Sequence, residues 1–60
     1  MEKTQLEKTN DYITGTEDLI SQCITAQKLI RHGDFIQGRA YLTSIVNTAN
    51  YLRKRVEEQT

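Results

Sequence analysis

The chain has 60 residues, and its eight Lys and Arg residues balance its eight Asp and Glu residues, so no net field attracts nucleic acid or a membrane surface. A chain of this length forms one small domain that buries only about 60% of the surface exposed when it is unfolded. With Cys23 as the single cysteine and His32 as the single histidine, it cannot form an internal disulfide or the usual zinc sites built from Cys and His. We therefore expect self-association to supply the stability that so small a core lacks.

Residues 1–13 carry few large apolar side chains and are predicted to form a flexible or helical arm. Leu6, Ile13 and Ile20 are spaced seven residues apart. Because residues seven apart share one face of a helix, a single long helix stays open as an alternative. Such a helix would run through Gly15, at a cost of about 1 kcal/mol.

The helical hairpin itself is predicted over residues 14–60, with its first helix at about 16–32. Thr14 followed by Glu17 has the spacing of a capping box, and Thr16 is a second candidate cap. These two alternatives place the start of the first helix between residues 14 and 17.

The first helix carries an apolar stripe that is broad enough to touch two neighbouring helices. The members of this stripe are Ile13, Ile20, Cys23, Ile24 and Ile30. Leu19 and Ala26 widen it. Because Cys23 lies within the stripe, we interpret it as a small core hydrophobe in preference to a redox thiol.

Gly33 and Asp34 are predicted to form the turn between the two helices. Glycine suits the C-terminal cap of a helix because it adopts positive φ without strain. Asp34, with Gln37 three residues later, has the capping-box spacing that starts a helix. The second helix is therefore predicted over about 35–58, and His32 is interpreted as a solvated side chain beside the turn in preference to a pH sensor or a ligand.

The apolar residues of the second helix recur at spacings of three, four and seven, the pattern of a helix packed lengthwise along others. The predicted seam consists of Phe35, Gly38, Leu42, Ile45, Ala49, Leu52 and Val56. At Gly38 the missing side chain would let another backbone come close. Together with Ile20, Cys23, Ile24 and Ile30, these residues form the predicted core of the hairpin and its dimer.

The turn Gly33-Asp34-Phe35, with Gly38 and Leu42 after it, resembles the junction between the two helices of a tetratricopeptide-type repeat. The resemblance covers about half of the chain. It departs from the family pattern at Ile45, where a small residue is expected. The resemblance implies a helix–turn–helix unit, and a single such unit cannot bury its own face.

Charged residues are absent from residues 19–27 and again from residues 40–52. An antiparallel hairpin folded about Gly33 would place these two stretches side by side. Solvated helix faces usually alternate acidic and basic residues, so an uncharged belt indicates contact on more than one side. We predict an all-α antiparallel helical hairpin that pairs as a homodimeric four-helix bundle.

The side of the second helix that points away from the seam is also uncharged, which is unusual for a surface exposed to water. It consists of Ile36, Ala40, Thr43, Ser44, Asn47, Asn50 and Tyr51. Tyr51 combines a rigid apolar ring with a polar tip, as residues at protein interfaces often do. We predict that this side binds a larger protein and so modulates or blocks it, as a small bacterial or phage regulator would.

A second hypothesis is a dimeric regulator that binds RNA or DNA through phosphate contacts. The candidate contacts are Arg31, Arg39, Arg53, Lys54 and Arg55. Cations at the end of a helix also complement its dipole. The two hypotheses differ in salt dependence, because phosphate contacts weaken steeply as salt is added.

No enzymatic activity and no cofactor are expected. A general acid or base needs a titratable group held in a desolvated pocket, and Cys23 is the only such group in the predicted core. No apolar run approaches the roughly 18 residues of a membrane-spanning helix, and the first residues lack the apolar core of a signal peptide. A cytoplasmic location is therefore the expectation.

Overall fold

The computed structural model describes residues 4–60 of the chain as two α-helices, α1 (Gln5–Arg31) and α2 (Phe35–Glu57). The helices run antiparallel and pack against each other, so the predicted helical hairpin is confirmed. The hairpin measures 46 by 18 by 15 Å. Its length follows from the rise of about 1.5 Å per residue in an α-helix.

The turn between the helices closes with the backbone hydrogen bonds of a Schellman motif. The backbone N–H of Gly33 donates to the Ile30 carbonyl at 3.0 Å, and that of Asp34 donates to the Leu29 carbonyl at 2.9 Å. Gly33 has φ +80, a conformation that costs glycine no strain. The Asp34 carboxylate accepts from the backbone N–H of Gln37 at 3.2 Å, so both predicted caps of the turn are confirmed.

The start of α1 differs from the prediction of a helix beginning between residues 14 and 17. The observed cap is Thr4, whose hydroxyl oxygen accepts from the backbone N–H of Glu7 at 3.1 Å. The Thr16 hydroxyl instead donates to the Ile13 carbonyl within the helix, at 2.6 Å. Of the predicted arm, residues 5–13 are therefore helical, whereas residues 1–3 lie outside the described part of the chain.

A contact between the helix ends explains why the helix extends so far. The Tyr12 hydroxyl donates to the Arg55 carbonyl of α2 at 3.4 Å, and Lys8 and Tyr12 are both half-buried. The first turns of α1 thus lie against the last turns of α2. Tertiary packing of this kind outweighs the weak helix propensity of Gly15.

Small residues set the seam between the two helices. Ala26 is only 2% exposed, and Gly38 is the other fully buried residue among those described. Half-buried residues complete the seam: Lys8, Tyr12, Gly15, Leu19, Gln22, Thr25 and Leu29 of α1, and Ile45, Thr48, Ala49 and Leu52 of α2. Because small side chains let the backbones approach, the helices pack closely while burying little apolar surface.

The predicted core lies only partly in this seam. Gly38, Ile45, Ala49 and Leu52 belong to it. The other predicted core residues are exposed in the single chain: Ile20, Cys23, Ile24, Ile30, Phe35, Leu42 and Val56. The reason is the rotation of α1 about its axis, which turns its small residues toward α2 and leaves most of its isoleucine stripe on the side away from α2. Burial of that stripe against a second chain stays a prediction.

Candidate protein-interaction surfaces

One exposed side of α2, next to the seam, is apolar. We call it the open apolar face and define it by Phe35, Leu42, Val46 and Val56. All four side chains are exposed, Leu42 by 47%. Exposed apolar patches are common at protein-interaction sites.

A hydrogen bond across the seam separates the open apolar face from the polar side of the hairpin. The Ser44 hydroxyl donates to Oε1 of Gln22 at 3.3 Å, which defines the polar side of the hairpin. Successive residues of a helix are rotated by about 100°, so positions two residues away point about 200° around. Leu42 and Val46 therefore lie on the side of α2 opposite Ser44. Ile20 and Ile24 lie opposite Gln22, which is a half-buried seam residue, and so they point away from α2.

The same hydrogen bond places the two uncharged stretches side by side. Gln22 lies in residues 19–27 and Ser44 in residues 40–52. The predicted uncharged belt is thus present around the turn-proximal half of the hairpin. Its open side is apolar, and its polar side carries hydroxyl and amide groups.

A groove on the polar side, at the end of the hairpin away from the turn, has a volume of about 610 Å³. Tyr12, Tyr51 and Arg55 are among the residues that line it. Nη1 of Arg55 lies 3.1 Å from the Tyr51 hydroxyl oxygen, to which it donates a hydrogen bond. The Arg55 guanidinium carbon is 5.7 Å from the centre of the Tyr51 ring, within the range of a cation–π contact. The Arg55 side chain is therefore positioned by Tyr51, a residue of its own helix.

The seven residues predicted to bind a larger protein are all exposed, but the structure divides them into two groups. Ser44 and Tyr51 lie on the polar side, where they contact Gln22 and Arg55. The others lie on the side of α2 that points away from α1, and we call them the α2 outer surface: Ile36, Ala40, Thr43, Asn47 and Asn50.

The α2 outer surface contains a shallow groove next to the turn. Ile36 is 84% exposed, the largest exposure among the described large apolar residues. Together with Phe35, Ala40, Thr43 and Arg39 it lines a space of about 610 Å³. The walls of the groove are mainly apolar, and among residues 4–60 its one charged group is the guanidinium of Arg39.

The five candidate phosphate contacts do not form one surface. Arg53, Lys54 and Arg55 are consecutive, so their side chains leave α2 in directions about 100° apart. Nε of Arg53 lies 3.8 Å from a carboxylate oxygen of Glu57, and Arg55 contacts Tyr51. The two remaining cations, Arg31 and Arg39, lie at the turn end of the hairpin.

Cys23 and His32, which the sequence offers as a candidate redox thiol and a candidate pH sensor or ligand, are both exposed. Cys23 is exposed in the single chain, so its place in the core of the hairpin and its dimer stays a prediction. His32 ends α1, and its backbone N–H donates to the Lys28 carbonyl at 3.1 Å. Within residues 4–60, no three His, Cys, Asp or Glu side chains lie close enough together to hold a metal ion.

Comparison of the chain with protein-family models, with curated proteins and with solved structures finds no match. Neither helix in the described part of the chain combines the length and the apolar character that crossing a membrane requires.

Proposed function

We propose that this chain is a non-enzymatic interaction protein, which pairs into a homodimeric four-helix bundle and binds a larger protein through the α2 outer surface. One observation carries the proposal. Among residues 4–60, the only fully buried hydrophobic residue is Ala26, whereas twelve large hydrophobic residues are exposed. A 60-residue hairpin with so small an interior gains most of its stability from contacts with other molecules.

The groove on the α2 outer surface favours a partner of particular chemistry. Its apolar walls, formed by Phe35, Ile36 and Ala40, fit an apolar side chain that projects from the target. Arg39 at the rim can pair with a carboxylate on the same target surface. The neighbouring Asn47 and Asn50 can donate and accept hydrogen bonds without the cost of burying a charge.

Occupation of a surface is sufficient for such a protein to act. A specific contact buries about 800 Å² on each partner, an area comparable with one broad side of this hairpin. A bound dimer would block the covered part of its target. We therefore propose modulation or inhibition of the target by steric occupation.

The test starts with the target captured from the source cells, identified and purified, and measures its dissociation constant by calorimetry. Ile36→Glu should weaken binding at least tenfold, because it places a carboxylate in the apolar groove. Gln37→Glu is the matched control, since it adds the same charge to the same helical turn outside the groove. It should change binding by less than twofold.

Equal affinity of wild type and Ile36→Glu would contradict the proposal. A second measurement separates it from the nucleic-acid hypothesis. Binding through a neutral surface depends weakly on salt, whereas each phosphate contact releases counterions and lowers affinity steeply as salt rises. Retention of the chain on bulk nucleic acid at low salt, lost at high salt, would support the nucleic-acid hypothesis and count against the proposed one.

A further inference from the structure

We infer that two copies of this chain also pair through α1, with their α1 helices side by side and antiparallel. The surface that pairs is the side of α1 that points away from α2. We call it the α1 outer stripe and define it by Ile13, Ile20 and Ile24. The inference goes beyond the proposed four-helix bundle, because it adds a second contact between copies through a different surface.

The position of the α1 outer stripe follows from the seam residues beside it. Gln22 is half-buried in the seam, and Ile20 and Ile24, two residues before and after it, are rotated from it by about 200°. Ile13 precedes Ile20 by seven residues and shares its side. The three isoleucines are 51%, 60% and 48% exposed in chain order. No part of α2 therefore covers them.

A four-helix bundle formed by stacking two hairpins leaves the α1 outer stripe in contact with water. Each helix of such a bundle packs against its neighbours toward the central core. For α1 one of these neighbours is α2 of the same chain, so the side of α1 opposite α2 lies on the outside of the bundle. A row of branched apolar side chains at spacings of seven and four is buried by lengthwise packing with another helix.

Charged residues lie on the same side of α1 as the isoleucines. Glu17 comes seven residues before Ile24 and Arg31 comes seven after it, so both continue the α1 outer stripe. Lys28 borders the stripe, four residues after Ile24. In the part of the chain that the structure describes, none of these three charged side chains forms an ion pair. All three can therefore pair with charges on another copy.

An antiparallel arrangement brings these opposite charges together. When Ile20 of each copy packs against Ile24 of the other, the residue opposite Glu17 is position 27. Glu17 of one copy then lies beside Lys28 of the other copy and about one helical turn from its Arg31. The aliphatic part of the same arginine covers Ile13. Because a two-fold axis relates the copies, each of these contacts is made twice.

A parallel arrangement brings like charges together instead. Glu17 would meet Glu17 and Arg31 would meet Arg31, and such pairs repel. The overlapping part of α1 shows the same division of charge. Residues 13–22 carry only acidic charges and residues 23–31 carry only basic ones. Antiparallel packing sets the acidic segment of each copy beside the basic segment of the other, so it is the favourable orientation.

Charge reversal tests the orientation. Glu17→Lys and Lys28→Glu should each weaken the pairing at least threefold, because each replaces two attractive contacts by two repulsive ones, and surface ion pairs contribute little individually. The double variant that carries both changes should recover most of the wild-type affinity. Asp18→Lys is the matched control, since it makes the same charge change one residue further on, at an exposed position outside the stripe. It should change the pairing by less than twofold.

The dissociation constants come from sedimentation equilibrium up to millimolar concentration, because a contact along one helix is smaller than the standard interface of about 800 Å² per partner. Single reversals that leave the affinity unchanged would overturn the antiparallel orientation, since in a parallel pair they exchange one like-charged contact for another. A double variant as weak as the single variants would also contradict it.

Replacement of an isoleucine tests the surface. Ile20→Glu should weaken the pairing at least tenfold, because it places a carboxylate at the centre of the contact. Ser21→Glu, which adds the same charge at an exposed position outside the stripe, should leave the pairing within twofold of wild type. Circular dichroism of both variants reports whether the helices persist. An Ile20→Glu chain that assembles as tightly as wild type would overturn the inference.

The masses of the assemblies distinguish this inference from the proposed bundle. If both contacts form, the wild type at millimolar concentration is larger than a dimer and Ile20→Glu is a dimer. If the wild type is a dimer and Ile20→Glu is a monomer, the inference is supported and the bundle is contradicted. If the wild type is a dimer that Ile20→Glu leaves intact, the bundle stands and the inference is overturned. A monomeric wild type overturns both.

Discussion

Gly15 of α1 lies directly against Leu52 of α2. A Cβ atom placed on Gly15 would be 3.1 Å from Cδ1 and 3.2 Å from Cδ2 of Leu52, closer than ordinary carbon contacts. The absence of a side chain at Gly15 therefore brings the first half of α1 close to α2. A residue that weakens a helix in isolation thus helps this helix to pack.

Gly15→Ala is expected to stabilise the hairpin by less than about 1 kcal/mol. Alanine improves helix propensity by up to about 1 kcal/mol, and the new methyl group requires Leu52 to move by a few tenths of an ångström. Leu52 borders the open groove at the end of the hairpin, so it has room to move. Urea denaturation followed by circular dichroism measures the change. A loss of more than about 1 kcal/mol would show that Leu52 is fixed.

Gly38→Ala, in contrast, is expected to destabilise the hairpin. Gly38 is fully buried, and a Cβ atom there would lie 3.0 Å from Cγ1 of Ile30 and 4.0 Å from the Ile30 backbone nitrogen. Overpacking of this kind costs about 1–3 kcal/mol. The same denaturation experiment, with Gly15→Ala as the comparison, checks the difference. Equal or greater stability for Gly38→Ala would contradict the close approach at the seam.

The turn was predictable because its signals are local. Gly33 supplies a positive φ and Asp34 supplies a capping carboxylate, and neither depends on the rest of the fold. The uncharged belt was predictable for a similar reason, since folding about the turn fixes which residues lie opposite each other. The hairpin and its approximate register therefore follow from the sequence.

The contact side of α1 was not predictable from hydrophobicity. Its seam residues follow alternating spacings of three and four, from Tyr12 through Gly15, Leu19 and Gln22 to Ala26, but only some of them are strongly apolar. The isoleucine stripe is the stronger hydrophobic pattern. Close helix packing favours small residues at the contact, so the isoleucine stripe lies outside the contact between the two helices.

The sequence contains more than one candidate N-terminal cap for α1. Thr4 and Glu7 have the capping-box spacing, as do Thr14 and Glu17. Spacing alone does not rank these two candidates. The contact of Tyr12 with the Arg55 carbonyl decides between them, and that contact exists only once the hairpin has formed.

Thr4→Ala is expected to fray the beginning of α1 and to reduce stability by about 1 kcal/mol. The reason is loss of the hydroxyl that accepts from the Glu7 backbone N–H. Amide hydrogen exchange should speed up over residues 7–13 and stay unchanged beyond Gly15. Thr4→Ser keeps a capping oxygen and should behave as wild type. Unchanged exchange in Thr4→Ala would indicate that the helix begins further along the chain.

Leu42→Ala and Leu52→Ala should differ in how their effects depend on protein concentration. Leu52 is half-buried in the seam, so its truncation should cost about 2 kcal/mol or more at every concentration. Leu42 is 47% exposed in the single chain and becomes buried only if the open apolar face is covered. Its truncation should therefore lower the melting temperature strongly where the chain is dimeric and weakly where dilution has separated the copies. Thermal melts at a high and a low concentration measure both effects. Equal losses for Leu42→Ala at both concentrations would mean that this side chain is not at the interface between copies.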